Sequence, residues 1–175
     1  MVKLNIGCGN LKIDGYLNVD IRNDVDADIV IDLEKIPYPF DNNIVDEIVA
    51  NDIIEHFSHK DIEEIVKEWH RILKIDGTLI IKTPDFENII NILKRDSTFL
   101  SVTAALIGNP KKTWISIPHW LYGAQDYPQN FHKLIFTKIE LKKFLDHVGF
   151  KVHSIVNDNQ CETNMVCIAT KITKE

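Results

Sequence analysis

Gly7 and Gly9 are the first residues of this chain with a chemical use beyond packing. They lie in the segment LNIGCGN, residues 4–10. Val2, Leu4 and Ile6 give it the apolar, β-branched character of a short buried strand. The two glycines remove the side chains that would hold a ligand away from the backbone. A glycine-rich turn at the carboxyl end of a first strand is where open α/β sheets bind nucleotide-like ligands. A G-x-G pair also occurs in ordinary tight turns, and Lys12 stands where the dinucleotide fingerprint has its third glycine. Discrimination therefore rests on the polar residues that follow. Asp20 ends the run YLNVD, where a carboxylate can accept both hydroxyls of a ribose. Asp32 ends DIVID, where it can reach an adenine amino group while Leu33 covers the ring face. Each acid is, taken alone, equally at home as an exposed strand-end or capping group. After a fourth strand-like run comes Asn51-Asp52-Ile53-Ile54-Glu55-His56. Four successive strand tips with suitable polar groups make coincidence a poor explanation.

The elements that must hold these tips are legible in the apolar periodicity. Strand-like runs fall at 2–7, 17–21, 28–32, 45–50, 78–83, 150–156 and 164–172. From Lys60 to Lys74, Ile62, Ile65, Val66, Trp69, Ile72 and Leu73 fall on one helical face, and Gly77 is expected to end that helix. A helix capped by Asp85 is expected to run to Lys94. Thr137 and Glu140 form a capping-box pattern ahead of another helix, which Gly149 closes. Alternation of strands and helices predicts a mostly parallel sheet. The last two strands are separated by only about eight residues, too few for a parallel crossover, so the final strand should return antiparallel. The gaps after the first and second strands are about nine and six residues, so the first crossover helices should be shortened or lost. The expected architecture is α/β: a Rossmann-like, seven-stranded, mostly parallel sheet with an antiparallel last strand, in one domain spanning 1–175.

The 175 residues are enough for one real core. A net charge of −6 argues against a nucleic-acid footprint. Cys8, Cys161 and Cys167 lack metal-ligand spacing and fit reduced thiols in a cytoplasmic protein. No apolar run is long enough to span a bilayer, and the chain enters its first strand at once, with no signal peptide visible. Oligomeric state is not legible.

The chain resembles a class I S-adenosylmethionine-dependent methyltransferase, of the small methyltransferase-11-like type. The resemblance is carried by LNIGCGN, by GYLNVD with its acid, by DADIVIDLEKIPYPFDNNIVDEIVANDIIEHF, and by the helix leading into LKIDGTLIIKTP. It implies S-adenosylmethionine as cofactor. Gly7 and Gly9 would pass its methionine and ribose parts, with Cys8 in backbone contact. Asp20, with Ile21 beside it, would bind the ribose, and Asp32 and Leu33 would flank the adenine. Asn51 and Asp52 would lie near the transferred methyl. His56 would sit at the substrate mouth or pack the start of the helix. Asn5 stands where the family often has an acid, and Leu11 where its first motif has a third glycine, so contacts to the methionine amine are expected to differ.

Many relatives carry helices ahead of the first strand that cover the site, and this chain, which enters that strand at once, is expected to have none. The stretch 84–136 is the expected substitute, an insertion acting as a substrate cap, unless its aromatics simply pack on themselves. It holds Trp114, His119, Trp120, Tyr122, Gln125, Tyr127, Asn130, Phe131, His132 and Lys133. His119 or His132 can serve as general base, and Trp120 and Tyr122 can line the acceptor site. His119, His132 and Asp126 lack strict metal-ligand spacing, and no metal is assigned. The sulfonium donor is already activated, so alignment of the acceptor matters more than a base. The expected acceptor is a small polar molecule methylated on O or N. Lys111, Lys112 and Trp114 leave a nucleotide-linked acceptor open. A non-catalytic cofactor-binding protein of the same fold is the alternative. A nicotinamide-dependent reductase is disfavoured by the missing glycine and by the lack of a Tyr-x-x-x-Lys pair.

Overall fold

Seven strands form one sheet in a computed structural model that describes residues 1–95 and 116–173. The strands are β1 (Lys3–Ile6), β2 (Leu17–Asp20), β3 (Ile29–Val30), β4 (Val45–Asn51), β5 (Leu73–Pro84), β6 (Phe150–Asn157) and β7 (Asn164–Lys171). Their order is β3-β2-β1-β4-β5-β7-β6. The first five pair in parallel, with Leu4 level with both Leu17 and Ile48. β7 runs antiparallel to β5 and β6 and lies between them. Leu4, Ile6, Ile48 and Ala50 are fully buried, as the central strands of a sheet covered on both faces require.

Helix α1 (Ile62–Ile72) buries Ile62, Ile65, Val66, Trp69 and Ile72 in the main core, as the periodicity predicts. Its end differs from expectation. Leu73 is already extended and opens β5, so Gly77 is no helix cap. Residues 74–77 instead bulge out between the Val45–Leu73 and Glu47–Thr78 pairs, with Asp76 in the left-handed region. Helix α2 (Phe86–Arg95) follows β5, and Asp85 caps it through a bond from the Glu87 N–H of 3.0 Å. Helix α3 (Ser116–Tyr122) lies in the described part of the insertion. Helix α4 (Lys138–Val148) touches α1 and starts with the full Thr137–Glu140 capping box. It ends at Gly149, whose φ of 117° is left-handed. Thr137→Ala removes one half of that box and should cost about 1 kcal/mol. Calorimetry should register this as a fall in Tm of roughly 2–4 °C.

No helix stands between β1 and β2 or between β2 and β3. What replaces the first crossover is a hydrogen-bonded loop. Asn5 and Asn18 are buried side by side on neighbouring strands, and Asn5 Nδ2 donates to Asn18 Oδ1 and to the Leu11 carbonyl, each at 2.9 Å. Asn18 Oδ1 also accepts the Ile13 N–H at 2.8 Å. Asp28 then accepts the Asn18 backbone N–H at 2.8 Å and Asn18 Nδ2 at 2.9 Å, and these bonds hold its carboxyl down at about 2. Two asparagines thus anchor a ten-residue connection that apolar helix contacts would otherwise anchor.

Candidate active site

The carboxyl ends of β1, β2 and β3 open into a cleft of about 700 Å³, counting its solvent-open part. Its floor is the glycine turn. Gly7 has φ of +66°, and a Cβ there would come within 2.6 Å of the Ile53 side chain, so both backbone angle and space demand glycine. Gly9, at φ +49°, faces open space. The turn is pinned by the Cys8 N–H on the Val19 carbonyl at 3.0 Å and by the Gly9 N–H on Asp20 Oδ2 at 2.7 Å. Asp20 Oδ1 takes the Arg22 N–H at 2.9 Å. Each carboxylate oxygen accepts more than one bond, so Asp20 keeps capacity toward the cleft it lines.

Six of the expected cofactor residues line this cleft: Gly7, Gly9, Asp20, Ile21, Asp32 and Leu33. Asp32 does so from the turn after β3, not from the strand, because β3 is only two residues long. Asp32 Oδ1 caps that turn by accepting the Glu34 N–H at 3.0 Å. Asn5, Cys8, Asn51 and Asp52 are not among the lining residues. Asn5 is spent on the β1–β2 loop. Cys8 is buried beneath the turn, which raises its thiol pKa. Asn51 closes β4 in register with Lys82. Asp52, in the left-handed region at φ 50°, turns its carboxylate toward β5 and β7 instead: Oδ2 lies 3.1 Å from Lys82 Nζ and Oδ1 accepts Asn164 Nδ2 at 2.6 Å.

The described part of the insertion contributes Tyr127, Gln129 and Lys133 to the cleft. Lys133 Nζ reaches Glu34 Oε1 at 2.7 Å, so an ion pair crosses from the insertion to the loop after β3. Arg22 lies over the Tyr127 ring, 4.8 Å from its centroid. Ile53, His56 and Phe57 complete the wall from the 3-10 turn after β4. Gln129, Lys133, Glu34, Ile53 and Phe57 were not expected as cofactor contacts. Single polar residues in an aperiodic segment carry no pattern that marks them, whereas Ile53 and Phe57 sit inside the motif and were legible from it.

The histidines divide. His132 packs edge-on against His56, ring centroids 4.9 Å apart, and its Nδ1 donates to the Trp120 carbonyl at 2.9 Å. Burial, then the neighbouring His56, pushes His132 down to about 4. Burial also lowers His56 and His119. His119 does not line the cleft, and neither do Trp120 and Tyr122. The latter two act on His132 through their main chains, since the Tyr122 carbonyl takes the His132 N–H at 3.1 Å. Trp114, Lys111 and Lys112 lie outside the described residues. Next to His56, Glu55 is 1% exposed. Its Oε2 accepts the Thr83 hydroxyl at 3.0 Å, and its Oε1 has no partner among the described residues. Burial drives its carboxyl above the ordinary range, and the charge of Asp52 adds to this.

Strand order, the crossing point of the cleft and its acid-lined rim define a class I methyltransferase fold. Residues 4–81 match the family model described as a methyltransferase domain. A search of the curated proteins found no match. Among solved structures, an S-adenosylmethionine-dependent methyltransferase from Methanosarcina mazei is 18% identical, with a TM-score of 0.63 over 98% of this chain and 92% of that one. A 1,6-didemethyltoxoflavin-N1-methyltransferase from Burkholderia thailandensis, solved with 1,6-didemethyltoxoflavin and S-adenosylhomocysteine, is 11% identical, with a TM-score of 0.62 over 98% and 71%. A methyltransferase from Archaeoglobus fulgidus is 15% identical, with a TM-score of 0.60 over 97% and 85%. The sequence match covers residues 4–81, and the solved structures show that the chain as a whole has the fold of S-adenosylmethionine-dependent methyltransferases. Among the described residues no helix is long and apolar enough to cross a membrane.

Proposed function

We propose that this enzyme transfers the methyl group of S-adenosylmethionine to O or N of a small polar acceptor. The single observation that carries the site assignment is Asp20, a carboxylate on the wall of the cleft beside the glycine turn. In this reading Asp20 holds the ribose hydroxyls, Asp32 and Leu33 meet the adenine, and the methionine end crosses Gly7. The described end of the 84–136 segment, through Tyr127, Gln129 and Lys133, caps the cleft, tied down by the Lys133–Glu34 pair. Its role is to exclude water and align the acceptor, which is most of what methyl transfer asks. Net charge of −6 favours a small acceptor over nucleic acid, and the three free cysteines fit a reducing, cytoplasmic setting.

The test is calorimetric titration with S-adenosylmethionine, followed by measurement of S-adenosylhomocysteine release across hydroxyl and amine acceptors. Expected are saturable binding and turnover with one acceptor class. Binding with no turnover on any class would favour a cofactor-binding protein without catalysis, and no binding at millimolar cofactor would end the site assignment.

A further inference from the structure

We propose that Glu55, His56 and His132 form a binding site for a divalent first-row transition-metal ion of the zinc type. One ligand atom from each lies within 4.8 Å of the others. Two imidazoles and one carboxylate are a donor set that suits zinc, cobalt or iron, and three protein ligands leave further positions open. Zinc–nitrogen bonds of about 2.0–2.1 Å put tetrahedral ligands roughly 3.4 Å apart, so the cluster would draw in by about 1 Å on loading.

Three features make this more than a chance grouping. A fully buried carboxylate oxygen with no partner is costly and rare in native proteins, and Glu55 Oε1 is such an atom among the described residues. A cation within reach would satisfy it. Both imidazoles are also oriented by main-chain carbonyls. His56 Nδ1 donates to the Phe131 carbonyl at 3.2 Å and His132 Nδ1 to the Trp120 carbonyl at 2.9 Å. A carbonyl only accepts, so Nδ1 carries the proton in His132 and its Nε2 keeps its lone pair, the arrangement found behind metal-bound histidines, while the His56 ring also meets the Gln129 and Asp52 main chains and would give up one of these contacts on binding a metal. Finally, the ligands come from two parts of the chain. Glu55 and His56 belong to the turn after β4, and His132 to the segment that follows α3. The Glu55 carbonyl accepts the N–H groups of Lys133 and Leu134 at 2.8 and 3.1 Å, which places these two parts side by side. The charged groups with electrostatic influence on the three ligands are Asp52, Lys82, Lys133 and His119. His56 also lines the cofactor cleft, so an open coordination position would be next to the acceptor side of the proposed site.

This inference does not rest on the cofactor assignment, and its test reads metal directly. Chelator-treated protein is titrated with Co²⁺ and followed by its visible d–d absorption, then challenged with Zn²⁺. The expected result is one Co²⁺ per chain, displaced by Zn²⁺, with affinity lowered about a hundredfold or more in both Glu55→Gln and His132→Asn. His132→Asn alters the covering segment and leaves the core untouched, so it reports even if Glu55→Gln fails to fold. Absence of Co²⁺ binding by the wild type, or the wild-type spectrum persisting in His132→Asn, would overturn the proposal. S-Adenosylmethionine affinity measured on the same samples tests the cofactor site separately.

Discussion

Asp20→Ala will weaken S-adenosylmethionine binding by about 1–3 kcal/mol, the cost of leaving polar groups of a site without their partner. This corresponds to roughly 5- to 150-fold in Kd. Two losses combine in the variant. In the proposed binding mode the ribose hydroxyls lose their acceptor, and the Gly9 N–H loses the oxygen that now holds it at 2.7 Å. The second loss lets the floor of the cleft relax, so affinity should fall even for ligand fragments that never touch the carboxylate. Calorimetric titration of wild type and variant checks this, with thermal unfolding of the free proteins as the control for a general loss of structure. Equal Kd values in two folded proteins would show that the ribose binds elsewhere.

The largest loss of stability is expected at Glu68, far from the cleft. Glu68 is 6% exposed on α1 and gathers three donors. Oε1 accepts the Tyr38 N–H and Arg71 Nη2, both at 2.6 Å, and Oε2 accepts Arg71 Nε at 2.8 Å. Arg71 continues the network to the Phe40 carbonyl at 2.9 Å and to Asn42 Oδ1 at 2.6 Å. The loop between β3 and β4 is thereby tied to α1. Glu68→Ala leaves the Tyr38 N–H without its acceptor and Arg71 without its counter-charge, and should cost about 1–3 kcal/mol. Burial alone would raise the Glu68 carboxyl, but the Arg71 and Tyr38 bonds outweigh it and hold it below its usual 4.5. A carboxyl lowered on folding stabilises above its unfolded pKa. That part of the stability is therefore present above about pH 4.5 and drains as pH falls further. Urea unfolding at pH 7 and at pH 3.5 should show the gap between wild type and variant narrowing in acid. A pH-independent gap, or one below about 1 kcal/mol at pH 7, would show that the network is not a source of stability.

Most of the sheet was legible because its strands obey period rules that survive in any context. The antiparallel return of β7 followed from loop length alone, and the Thr137–Glu140 cap from two residues. The tips of β1 and β2 were legible for the same reason, since the strand end and the acid are adjacent in sequence. Position after folding was harder to read. Asn5 looked like an altered ligand contact, yet its amide donates to a loop carbonyl, which the family's usual acid could not do without a proton. Asp52 looked like a cleft residue, but a left-handed backbone at that position turns it to Lys82 and Asn164. Glu55 stood in plain view inside DIIEHF, and nothing in the sequence could show that one of its oxygens is buried without a partner. The His132 contact with His56 joins positions brought together only by the insertion, whose aperiodic sequence gives no hint of its path.

The placement of β7 has a consequence for how the protein is made. Among the described residues β6 pairs with β7 alone, and β5 exposes one whole edge until β7 arrives. Strands β3 to β5 all lie before residue 85, whereas the core beneath them is completed by Leu141, Leu145, Phe150, Met165 and Cys167 from the end of the chain. Until residues 164–171 emerge, the edge TLIIK is an open template for strands of other chains. The pairing of Ile81 with Cys167 is the kind of distant contact that forms slowly, which makes closure of this edge the vulnerable interval of synthesis and the point at which a chaperone would matter most.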